Sequence, residues 1–197
     1  SRSREWFQKA ADAGSAEAKA RIARNDLLSY GYTSDQKRGW ETLNKLAAEG
    51  NEFAMYYIGD AYFDGRYVKA DRMQAAKWFR KAADSGHAGA MNSMAYCYEN
   101  GKGVPMDNEQ VRAWYLRSAE AGNLSGIYKV ARCYQKGIGG EKDAAEAMRW
   151  YAKGAEENEP RCIMKIGEAY LTGSGMQKSV PDALRWLRRA AALGNGR

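Results

Sequence analysis

The chain has 197 residues, a formal net charge of +7 and 45 % hydrophobic residues. That is enough apolar material for a core, yet no apolar run approaches the roughly 20 residues of a membrane span. With three cysteines, a single histidine and no Cys-x-x-Cys, a Cys/His zinc site lacks ligands, so no metal site is expected and Cys97, Cys133 and Cys162 read as buried free thiols.

The first residues, through Gly14, already read as the body of an amphipathic helix, so the chain reads as a piece of a longer one. From Gly14 onward a mark recurs every 36 residues: Gly14, Gly50, Gly86, Gly122, then Asn158 and Gly194. Asn is the commonest substitute where a helix ends in a left-handed residue, so the exception obeys the same physics. Other columns keep the period. Eight residues before each mark come Trp6, Trp78, Trp114, Trp150 and Trp186, with Thr42 in the second row. Nine after it the side chain is small: Ala23, Gly59, Ala95, Ala131 and Gly167. Twelve after it come Tyr62, Tyr98, Tyr134 and Tyr170, and fifteen after it Gly65, Gly101, Gly137 and Gly173.

Each 36-residue row reads as two helices. In the row from Asn51, residues Ala54, Ile58, Gly59 and Tyr62 share one helical face, and Gly65 stops that helix. A short loop follows. Asp35, Asp71, Asp107, Asp143 or Ser179 then caps the second helix, because its side chain can accept from free backbone N–H groups. That helix carries Ala75, Trp78, Phe79, Ala82 and Ala83 on one stripe, and the tryptophan is expected to fill the gap left by the facing small residue. Helices of about 13 residues are marginal alone and must bury their stripes on neighbours. The expected fold is an all-α solenoid of antiparallel helix pairs over 1–197. Residues 1–14 form the last helix of a truncated repeat and 15–50 a divergent one. The regular repeats are 51–86, 87–122, 123–158 and 159–194.

The runs IGDAYFDGRYV from Ile58, MAYCYENGKGV from Met94, VARCYQKGIGG from Val130 and IGEAYLTGSGM from Ile166 alternate with KWFRKAADSG from Lys77, AWYLRSAEAG from Ala113, RWYAKGAEEN from Arg149 and RWLRRAAALG from Arg185. This pattern resembles the Sel-one-like repeat (SLR) family of the tetratricopeptide-like superfamily. The resemblance implies a right-handed alpha-alpha superhelix. It also implies a non-catalytic scaffold or adaptor role without a cofactor, often in secreted, envelope or membrane-associated assemblies such as those of the bacterial periplasm.

In such stacks the first helix of each pair lines the concave face. Its partner-facing positions would be Phe53, Tyr56, Asp60 and Phe63; Asn92, Tyr96 and Glu99; Tyr128, Arg132 and Gln135; and Arg161, Met164, Glu168 and Leu171. Aromatic, amide and charged residues vary here on a repeated frame, as a side-chain-specific groove for a protein or peptide requires, and aromatic anchors suit protein recognition. Trp40, two residues from the empty tryptophan slot, lies about 200° around the helix from it and is expected to face outward.

Competing signals are weaker. His87 sits in an inter-repeat turn with no nucleophile or carboxylate marked beside it, and no acid/base constellation points to an enzyme. The glycine loops lack the Gly-Lys-Ser/Thr of a phosphate loop. The Asn123 sequon matters only in a secreted eukaryotic protein. Helical repeats of this length also bind RNA, but the densest basic group, Arg185, Arg188 and Arg189, lies on a second helix. A regulatory part of a larger enzyme or envelope assembly is the remaining alternative.

Overall fold

The computed structural model describes residues 2–28 and 34–194. Among them are eleven helices and no strand: α1 (Arg2–Asp12), α2 (Ala16–Leu27), α3 (Ser34–Ala48), α4 (Glu52–Asp64), α5 (Arg72–Asp84), α6 (Ala88–Asn100), α7 (Asn108–Glu120), α8 (Leu124–Lys136), α9 (Ala144–Glu156), α10 (Pro160–Thr172) and α11 (Val180–Gly194). They form two compact units, α1–α6 and α7–α11. Within each, helices joined by short turns pack pairwise, as the all-α expectation requires.

Why the chain breaks where it does is visible at the caps. The residue after each mark caps a first helix with its side chain. Ser15, Asn51, His87, Asn123 and Glu159 accept from the backbone N–H three residues on, at Ala18, Ala54, Ala90, Gly126 and Cys162. Five side chains do one job at one period, each satisfying a donor that the helix leaves open. Asp71, Asp107 and Asp143 cap the second helices in the same way, as the sequence predicts. Asp35 does not: α3 already begins at Ser34, which puts Asp35 inside the first turn, paired with Arg38 at 3.0 Å. Gly14, Gly50, Gly86, Gly122 and Asn158, the last at φ 56°, are left-handed, whereas Gly194 is the last residue of α11.

The packing corrects one expectation. A Cβ built on Gly59 would lie 2.6 Å from the Phe79 ring, and one on Gly167 2.8 Å from Leu187. The gap beside the small residue is therefore filled by the residue after the tryptophan. In that column Leu43, Phe79, Tyr115 and Tyr151 are each at most 2 % exposed, and Leu187 is half-buried. The tryptophans lie beside it, ranging from Trp114 at 2 % exposed to Trp6 at 71 %. Each receives a cation from three residues on: Lys9, Lys81, Arg117, Lys153 or Arg189 lies 4.2–5.4 Å from its ring.

The divergent row rebuilds the same contacts with other chemistry. Asp26 occupies the tyrosine slot, is buried, and pairs with Arg38 at 3.2 Å. Gly39 lets α3 close on α2, since a Cβ there would meet the Ala23 carbonyl oxygen at 2.6 Å. Trp40 does not face outward. It packs on Tyr62 and Tyr67, with ring centroids 5.8 and 5.7 Å away.

Candidate protein-binding faces

The predicted residues fall on the first helices of both units. In the first unit α4 carries Phe53, Tyr56, Asp60 and Phe63, and α6 carries Asn92, Tyr96 and Glu99. The structure brings most of these together. The Tyr56 ring stacks on the His87 imidazole at 4.5 Å, and Phe53 meets the same imidazole edge-on at 5.0 Å. Phe63 lies 6.0 Å from Tyr96 and takes the Arg72 guanidinium at 3.9 Å.

Burial, and then the Asp60 charge, push the Tyr56 phenol up to about 12, while burial lifts the Asp60 carboxyl to about 6 despite Arg24 beside it. Asp60 lines a small cleft of about 140 Å³ with Arg24, Tyr57 and Arg66. Tyr96 is 41 % exposed, whereas Phe53, Tyr56 and Phe63 are half-buried. Asn92 is the anomaly: its Oδ1 is buried with no hydrogen-bond partner. An orphaned acceptor of that kind costs about 1–3 kcal/mol.

In the second unit Tyr128, Arg132 and Gln135 stand on α8, Arg161 and Glu168 on α10. Tyr128 lies between two guanidiniums, Arg161 at 4.6 Å and Arg132 at 5.9 Å. Arg161 is held in place by Glu159 at 2.7 Å and by the Ser125 hydroxyl at 3.2 Å. The Tyr151 hydroxyl donates to Gln135 Oε1 at 3.0 Å, and Lys165 pairs with Glu168 at 2.6 Å. Met164 and Leu171 are exposed on α10.

His87 is the residue that sequence reasoning undervalued. It both caps α6 and supports Tyr56 and Phe53. Its place in the column Ser15, Asn51, Asn123 and Glu159 is the signal that assigns the capping role. The same column turns the Asn123 sequon into a structural cap. Among the described residues the three cysteines are buried, no cluster could hold a metal ion, and no helix is long and apolar enough to cross a membrane.

The Sel1 repeat model matches residues 1–15, 53–87, 88–123, 124–159 and 160–195. The chain belongs to the Sel1 repeat family. The divergent row, 15–50, falls almost wholly in the unmatched stretch 16–52, in line with its altered contacts. A Sel1 repeat protein from Oxalobacter formigenes is 25 % identical and superposes with a TM-score of 0.84, over 98 % of this chain and 82 % of that one. An SLR-fold protective antigen of uropathogenic Escherichia coli, c5321, is 28 % identical, with a TM-score of 0.82 over 97 % of this chain and 41 % of that one. A putative Sel1 repeat protein of Klebsiella pneumoniae, 20 % identical with a TM-score of 0.56 over 97 % of this chain and 93 % of that one, shares the fold. None of the curated proteins matches in sequence. Sel1 repeat proteins are generally protein-interaction scaffolds and typically non-catalytic.

Proposed function

We propose that this Sel1 repeat chain is a non-catalytic adaptor that holds a partner protein or peptide on the faces of its first helices. One observation carries the reading. Down the columns of that face the residues change chemistry row by row: Tyr56, Asn92, Tyr128, Met164; then Asp60, Tyr96, Arg132, Glu168; then Phe63, Glu99, Gln135, Leu171. Beneath them the frame repeats one chemistry, as in the buried small residues Ala54, Ala90, Gly126 and Cys162. Packing alone favours repetition; side-chain-specific recognition needs variation over a fixed frame.

The test is to replace two exposed residues of the face, Tyr96, which touches Phe63, and Gln135, whose carbonyl accepts from Tyr151. Tyr96→Ala combined with Gln135→Ala should leave helix content unchanged and reduce capture of the partner at least about tenfold, the range of a lost contact cluster. Full capture by this variant, with loss instead on changing the exposed second-helix residues Lys77 and Glu120, would contradict the assignment.

A further inference from the structure

We propose that the α8–α10 face of the second unit selects an acidic segment of the partner; this rests on the adaptor reading above. The helix α8 carries Lys129, Arg132 and Lys136 and no carboxylate. On α10, Arg161 and Lys165 face a single acid, Glu168. The acids present are already engaged. Glu159 accepts from Cys162 N and Arg161, and Glu168 accepts from Lys165.

What remains is a stripe of donors. Tyr128, Arg132 and Lys136 follow at four-residue spacing, so they stand one above another on the helix surface. Neither Arg132 nor Lys136 has a carboxylate partner among the described residues. Gln135, exposed beside them, has its carbonyl engaged by Tyr151, which leaves its amide N–H groups to donate outward. Arg161 is pinned by Glu159 and Ser125 over the Tyr128 ring, which gives the stripe a rigid floor. A donor-rich, acceptor-poor stripe on a rigid aromatic platform is complementary to carboxylates, and guanidinium–carboxylate pairing is strong and directional.

The charge is local. In the first unit α4 carries Glu52, Asp60 and Asp64 and no Lys or Arg. A short acidic protein segment needs only the local stripe, whereas a nucleic acid strand is favoured by positive charge continued along the chain.

The probe is a labelled peptide of alternating Glu and Tyr, compared with its twin in which every Glu is Gln, each titrated against the whole chain. The Glu peptide should bind at least about tenfold tighter at low salt, with the advantage shrinking as added ions screen the charges. Arg132→Glu with Lys136→Glu should abolish that advantage, and the milder Arg132→Gln with Lys136→Gln should reduce it while circular dichroism stays unchanged. Lys77→Gln, a loss of charge on a second helix outside the face, should leave it intact. Equal binding of the two peptides, indifference to both double variants, or tighter binding of an oligouridine at the same salt would overturn the proposal. If the acidic peptide fails while capture of the natural partner still depends on Tyr96 and Gln135, only this inference falls. If capture depends on neither, the adaptor reading falls with it.

Discussion

His87 does three things with one ring. Its Nδ1 accepts from the Ala90 N–H at 2.9 Å, its face stacks on Tyr56, and its edge meets Phe53. The cap requires an unprotonated Nδ1, because imidazolium has no acceptor. Burial lowers the His87 pKa below its usual 6.5, against the pull of Glu52 and Glu17. The sign follows. Above pH 6.5 the ring is neutral folded or unfolded and the cap contributes fully. As pH falls below that value the unfolded chain takes the proton first, and stability is lost progressively through the folded pKa. Asp60 works the other way, since its raised carboxyl pKa favours folding as pH falls from about 6. The two are separable: His87→Asn keeps a good cap and removes the titration. We expect this variant to lose less stability than the parent between pH 7 and 5 in parallel urea melts, and equal losses would refute the capping account. His87→Ala should cost about 1 kcal/mol or more at pH 7.5, from the lost cap.

Among helices, packing grades the tryptophans. Trp114→Ala should cost about 3–5 kcal/mol, as large buried truncations do, whereas Trp6→Ala should stay within about 0.5 kcal/mol. Equal thermal shifts would contradict the burial gradient. The loop glycines divide in the same physical way. Gly103 has φ 78°, and a Cβ on it would lie 1.9 Å from the Arg72 carbonyl oxygen, while Gly86 has open space around it. Gly103→Ala should therefore destabilise clearly more than Gly86→Ala, whose cost is the left-handed backbone alone, about 1 kcal/mol. Chemical denaturation of both variants measures the difference.

The helix boundaries were legible because left-handed residues and cap acceptors are chemically restricted, so Gly, Asn, Asp and Ser recur in phase. The core column was not. Trp78 and Phe79 lie about 100° apart on one amphipathic stripe, and period alone does not choose between them. Gly59 and its contact with the Phe79 ring make that choice. Trp40 was misplaced for a related reason: its partner Tyr67 stands at φ 66°, a position where later rows carry Gly103, Gly139 and Gly175. Nothing in a sequence period announces that a ring has replaced a backbone contact.

At the scale of the whole molecule the frame and the faces obey different rules. Caps, small residues and core aromatics hold each unit together, and the adaptor proposal assigns the exposed Tyr96, Gln135 and their neighbours to a partner. The candidate positions could be listed from sequence, but their division of labour could not. Tyr56 and Tyr128 prove half-buried, Tyr56 stacked on the His87 cap of α6, and Tyr128 close to Arg161 of α10 and to Arg132 one turn along α8. The most direct test of the account is a photocrosslinking scan in the organism's own lysate, with the crosslinker placed singly at Tyr96, Gln135, Met164 and, as second-helix controls, Lys77 and Glu120. The account predicts one common adduct from the first-helix positions and none from the controls. Adducts confined to Lys77 and Glu120 would contradict it.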